Sequence, residues 1–132
     1  MANEIRQKSI DLEGMGHAAP IPAACRVGPI LSTSAVSGKD AKTGKFPPDA
    51  DGQARLAFEN LKQLLEAGGM GFGDVVKLTC FVGEESYREA INKYWLQYYP
   101  DAHHRPARHA IVTQMRGGAL LQIEALAVAR DA

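Results

Sequence analysis

Two periodicities alternate along the chain. From residue 54 to residue 68 the apolar positions Ala54, Ala57, Phe58, Leu61, Leu64, Leu65 and Gly68 recur at helical spacing, which predicts an amphipathic helix. Asp49 or Asp51 stands where a cap belongs, and Gly68-Gly69 predicts a left-handed stop. A second helix is predicted over 85–98, with Tyr87, Ala90, Ile91, Tyr94, Trp95 and Tyr98 as its stripe and Pro100 as its end. Between the helices, residues 74–82 alternate as a strand does. Val76, Leu78, Cys80 and Val82 are expected on one face, Val75, Lys77, Thr79 and Phe81 on the other. Residues 23–27 and 30–35 predict strands joined at Gly28-Pro29, and residues 4–10 alternate weakly as an edge strand. Residues 107–115 and 120–129 predict two last strands, joined as a hairpin at Gly117-Gly118.

The order is β-β-β-α-β-α-β-β, an α+β class chain forming one domain over residues 1–132. Two helices cover one face of a single mixed sheet. The other face also carries apolar residues and has no helix left to bury it, so a partner subunit is expected there.

Composition narrows the function. With 132 residues, 45% hydrophobic and 23% charged, the chain is long enough to bury a core without disulfides or metals. Lys plus Arg and Asp plus Glu both number 15, so the formal charge is zero. A general nucleic-acid or membrane-surface binder would show a basic excess, although a local basic pocket stays open. No stretch approaches the roughly 20 apolar residues of a membrane span. Residues 1–11 show no apolar leader core. Cys25 and Cys80 fit no metal or redox spacing. A cytoplasmic protein is expected.

Glu124 is the most informative single residue. It lies mid-strand with Gln122, Leu126 and Val128 on its face, and a carboxylate there is costly unless paired or protonated. Buried, it would exchange protons near neutral pH; at a strand edge, it would simply reach solvent. Arg108 opens a strand after Arg105-Pro106-Ala107, where a guanidinium suits a carboxylate or phosphate or else snorkels outward. On adjacent hairpin strands, Arg108 and Glu124 could also form a structural ion pair. His17, His103, His104 and His109 offer no metal-pair spacing. The glycines from 68 to 73 follow a helix and do not match a phosphate-binding fingerprint, so they read as a helix cap and turn. Lys77 beside Thr79 reads as a solvated lysine, with Schiff-base chemistry only if buried.

Four segments together resemble one family: Arg105-Pro106-Ala107-Arg108, the strand from Gln122 to Ala127 (QIEALA), the helix from Gln53 to Gly68 (QARLAFENLKQLLEAG) and Asp74-Val75-Val76-Lys77. They are similar, in order and spacing, to the reactive intermediate deaminases (RidA, or YjgF), formerly described as endoribonuclease L-PSP. The resemblance covers roughly residues 20–130. It implies a fold similar to the trimeric chorismate mutases and a homotrimer with active sites between subunits. It implies hydrolysis of enamines and imines, such as 2-aminoacrylate, to 2-keto acids and ammonia. By the same resemblance Arg108 would hold the substrate carboxylate and Glu124 would position water and assist proton transfer. Asn92, Ser34, Ala35 and Ala110 would line the site. No metal and no organic cofactor are implied; the partners are a small-molecule carboxylate and copies of the chain, with no nucleic acid and no membrane.

The chain departs from the family pattern at Ile21, where a tyrosine is usual, at Ala35-Val36, where Gly-Gln is common, and at Ala110, where cysteine is common. A less polar pocket is expected, and a Cβ at Ala35 would restrict a backbone approach that glycine allows. A larger imino acid, including a 2-aminomuconate-type intermediate of aromatic breakdown, is the alternative substrate. Rival readings are a non-catalytic trimer that binds small carboxylates, a ribonuclease, disfavoured by the neutral charge, and a chorismate-mutase-like isomerase, disfavoured by the single pocket arginine.

Overall fold

Helix α1 (Ala50–Ala67) begins where Asp49 accepts a hydrogen bond from the Gly52 N–H at 3.1 Å. It ends in a Schellman arrangement: Gly69 takes a φ of +77°, its N–H donates to Glu66 O, and Met70 N–H donates to Leu65 O. Asp51, the other candidate cap, turns instead to α2 (Arg88–Tyr98). There it accepts from Lys93 Nζ and Tyr94 OH, both at 2.9 Å, and these bonds hold its carboxyl below the usual range. A single 3-10 turn, Glu85–Tyr87, precedes α2.

The computed structural model describes residues 4–130. Seven strands form one mixed sheet: β1 (Lys8–Ile10), β2 (Ala24–Val27), β3 (Ile30–Thr33), β4 (Val36–Ser37), β5 (Val75–Val82), β6 (Ala107–Val112) and β7 (Leu121–Val128). The spatial order is β1-β2-β3-β7-β5-β6, with β4 also paired to β7. Only β5 and β6 run parallel. Both helices lie on one face, as expected, and the short β4 is the one strand added to the expected order. The core between the layers holds Leu31, Phe58, Leu61, Leu65, Leu78, Leu121 and Ile123, all without measurable or with 1% exposure.

Two expectations are corrected. The last two strands are not a hairpin, because β5 lies between them. The crossover through α2 returns the chain parallel to β5 on its outer edge. The connection to β7 must then pass the end of β5, where Thr113 N–H donates to Val82 O and Gly83 N–H donates to Leu120 O. Secondly, β5 does not alternate throughout. Val75 pairs with Ala127 and Lys77 with Leu126, so Val76 is an inserted residue, a β-bulge. The bulge puts both Val75 and Leu78 in the core and turns Val76 outward, at 50% exposure.

No described element covers the second sheet face. Ile30, Leu126 and Val128 lie there at 49%, 40% and 43% exposure. On the covered face, Cys80 is fully buried and unpaired, and burial pushes its thiol up to about 11. The folded protein therefore holds that proton more tightly than the unfolded chain. Stability should be insensitive to this group below the ordinary thiol value of 9.0 and fall as pH rises from there through about 11. Urea unfolding across that window checks it: Cys80→Ala is expected to show a shallower decline than the wild type.

Candidate active site

A second irregularity builds one half of the site. Ser32 pairs with Leu126 and Val36 with Ile123, four steps on one edge against three on β7. The extra residue makes a bulge at Ser34-Ala35, a device that re-aims side chains. Thr33 Oγ1 fills the gap by accepting from Ala125 N–H at 3.0 Å. Ser34 N–H donates to Ala23 O, and Ser34 Oγ donates to Pro22 O at 2.8 Å, pinning the Pro20-Ile21-Pro22 segment. Ile21 is left 49% exposed beside the bulge.

Ala35 faces a cleft of about 520 Å³ between residues 14–18, β4, α1 and the start of β7. His17, Ser37, Lys39, Asn60, Arg116 and Gln122 supply its polar lining. Gly14 lets residues 14–18 close one wall: it has a φ of +82°, and a Cβ there would meet Ala41 O at 2.2 Å. The polar groups come from loops, from α1 and from the strand residues Ser37 and Gln122. Ala35 has no left-handed backbone to accommodate, since no described non-glycine residue has a positive φ.

Arg108 builds the other half. It lies opposite Leu78 on β6, at the sheet edge beside α2. The guanidinium donates to Asn92 Oδ1 and lies 5.0 Å from the Trp95 ring centroid. Asn92, Trp95, Leu96 and Arg108 line an open hollow of about 470 Å³. Among the described residues no carboxylate pairs with Arg108. Ala110, two residues on, lies opposite the buried Cys80 and packs against the core.

Glu124 lies opposite Thr79, one register step from the Leu78–Arg108 pair. Successive strand residues face opposite ways, so Glu124 points to the uncovered face while Arg108 belongs to the helix side. The expected adjacency, and with it the structural ion pair, is corrected: β5 separates the two within one chain. Glu124 is half-buried and is the only carboxylate that any strand contributes. Gln122, two residues before it, reaches the cleft that Ala35 lines.

The remaining candidates stay outside both hollows. Lys77 and His109 are exposed, and the exposed His104 Nδ1 sits 3.0 Å from Asp101 Oδ2. Among the described residues no three His, Cys, Asp or Glu side chains gather as a metal site. The sequence reading missed Asn60, Lys39 and Arg116. Asn60 had a legible signal, because it shares the helical stripe of Ala57, Leu61 and Leu64 and a polar residue there must serve a purpose. The two cations lie in loops, where no periodicity marks them.

Residues 15–129 match the family model described as Endoribonuclease L-PSP. The 2-iminobutanoate/2-iminopropanoate deaminase of Escherichia coli is 32% identical over 106 residues, 79% of this chain and 83% of its own. A RutC family protein of Pasteurella multocida is 32% identical over 112 residues, 83% of this chain and 87% of its own. Among solved structures, the YjgF gene product of E. coli superposes with a TM-score of 0.83 at 30% identity, over 93% of this chain and 99% of that one. E. coli TdcF with bound serine gives 0.84 at 29% identity, again over 93% and 99%.

Proposed function

Because the chain belongs to the Endoribonuclease L-PSP family, which includes reactive intermediate deaminases, we propose that it hydrolyses 2-imino acids to 2-keto acids and ammonia. The observation that carries this reading is Arg108: a guanidinium braced by Asn92 and Trp95, open to a hollow, with no protein carboxylate on it among the described residues. Such a group is free to take a substrate carboxylate with two charge-assisted hydrogen bonds. The serine bound to TdcF is a small carboxylate of that kind.

The chemistry then follows from the residues. Arg108 orients the carboxylate so that the imine carbon faces a water held by Glu124. The water oxygen bonds to that carbon while its proton passes through Glu124 to the nitrogen. Glu124 then carries the hydroxyl proton of the carbinolamine to its nitrogen, the C–N bond breaks, and ammonia leaves as the C=O bond of the ketone forms. An enamine first takes a proton at its β-carbon and gives one up from its nitrogen to become the imine. The reaction consumes only water. No helix among the described residues is long and apolar enough to cross a membrane, and a cytoplasmic setting fits two unpaired cysteines.

Arg108 and Glu124 of one chain point to opposite faces, so the complete site takes Arg108 and Asn92 from one copy and Glu124, Ser34, Ala35 and Ile21 from the next. A homotrimer built by head-to-tail contacts supplies this pairing three times and covers the apolar face around Ile30, Leu126 and Val128. Mixing tests it. Arg108→Ala and Glu124→Gln chains, each inactive alone, are unfolded and refolded together in equal amounts. Random assembly gives about a quarter of all sites both native residues, so about a quarter of wild-type activity should return. No recovery in mixed trimers would place both residues in one chain's site and overturn the shared arrangement.

A further inference from the structure

The strands place their charged and basic side chains on two faces. Lys8 pairs with Arg26, Arg26 with Leu31 and Arg108 with Leu78, so these three share the helix side. Lys77, His109 and Glu124 share the uncovered side. There Thr79 pairs with Glu124 on β7 and with His109 on β6, so Glu124, Thr79 and His109 form one row across three strands. Lys77 lies two residues before Thr79 on β5, opposite Leu126 and Ala107, and is exposed. Arg105, just before β6, is turned away and donates to Tyr99 O at 2.9 Å.

Two strand spacings of about 4.8 Å put the Cα atoms of Glu124 and His109 roughly 10 Å apart, a span that two long side chains close by leaning toward each other over the short Thr79. The Thr79 hydroxyl lies between them and can donate to a carboxylate while accepting from an imidazole N–H. Among the described residues neither Glu124 nor His109 takes part in an ion pair. On a single chain water solvates both. A homotrimer that covers this face removes that water, and polar groups that lose water need partners. The row supplies them within one chain.

We infer that His109 is a positioning residue for Glu124. The inference rests on the deaminase and homotrimer reading above. One carboxylate oxygen of Glu124 accepts from the His109 ring, directly or through the Thr79 hydroxyl, and the other oxygen is left to hold the attacking water. An imidazole keeps at least one N–H in either protonation state, so the bond does not depend on its charge. A glutamate turns freely about its side-chain torsions, and anchoring one oxygen fixes the base relative to the imine carbon.

Kinetics on an imine made in situ by an amino-acid oxidase from 2-aminobutyrate provide the first test. His109→Leu should lower kcat by roughly 10-fold and leave KM within about 2-fold, because the Arg108 anchor is untouched. His109→Gln keeps an N–H donor at similar reach and should recover most of kcat, while Lys77→Met should change neither constant. A wild-type kcat in His109→Leu, or a loss that lies wholly in KM, would overturn the inference. Ring carbon resonances of labelled histidine read the pair without turnover. In the assembled protein Glu124→Gln should shift the His109 signal, identified by its absence from His109→Gln, and Lys77→Met should not. A shift with no turnover supports the pair while the deaminase reading fails; no shift removes the pair, even if His109→Leu is slow or does not assemble.

Discussion

Arg108→Ala should lower kcat/KM for 2-imino acid hydrolysis by at least ~100-fold, while the melting temperature and oligomeric mass stay close to wild type. The size follows from what is removed. A bidentate guanidinium–carboxylate pair in a partly desolvated site is worth roughly 3 kcal/mol or more, and its loss also releases the substrate from its reactive orientation. The structural cost is small because Arg108 packs at the sheet edge, over Trp95, and the described residues give it no ion pair. Arg108→Lys keeps the charge but loses the planar fork, so it should recover only a small part of the rate. Following ammonia or 2-keto acid release from an imine made in situ measures both. A wild-type rate in Arg108→Ala would remove the carboxylate anchor from the proposal.

Gln53→Leu should be the most destabilising change outside the apolar core, by about 3 kcal/mol, or a fall of roughly 10 °C in Tm. Gln53 is 1% exposed on α1 and serves three backbone groups at once. Its Nε2 donates to Pro47 O at 2.9 Å and to Gly118 O at 3.1 Å, and its Oε1 accepts from Leu120 N–H at 2.8 Å. Leucine fills the space but leaves those groups in the interior without partners, and unmade buried hydrogen bonds are what large mutational losses come from. The same bonds tie down the turn that follows Arg116, so the cleft wall that Arg116 lines should loosen as well. Differential scanning calorimetry with Gln63→Leu as the control checks the first part. Gln63 is exposed on the same helix and should move stability by no more than about 0.5 kcal/mol.

The elements read from the sequence were those whose patterns are local. The stripe of Ala54, Ala57, Phe58, Leu61, Leu64 and Leu65 is the buried face of α1, and Gly68-Gly69 ends it in the left-handed turn expected. Asp49 and Asp51 were indistinguishable as caps, since the choice depends on Lys93 and Tyr94, more than forty positions away. The alternation of residues 74–82 identified a strand but not the bulge at Val76, which exists only through the register with Ala127 and Leu126. Arg108, Asn92 and Ala35 are candidate site residues through family resemblance alone. The structure brings Arg108 to Asn92 and puts Ala35 in a separate cleft.

By itself the sequence determined the α+β class, the two helices on one face, an uncovered apolar face and the pairing of an arginine with a lone strand carboxylate as the candidate chemistry. The first three follow from composition or from spacing within a few residues; the last is what the family resemblance implies. Tertiary structure alone decided that β5 stands between β6 and β7. The strand after β6 is free to form a hairpin by local geometry, yet it pairs with the other edge of β5, and the register of Leu78 with Arg108 and Thr79 with Glu124 puts the two on opposite faces of one chain. It also decided that Lys39, Asn60 and Arg116, from three separate segments, converge on one cleft. Convergence of loops is set by how elements pack, and no periodicity along the chain records it.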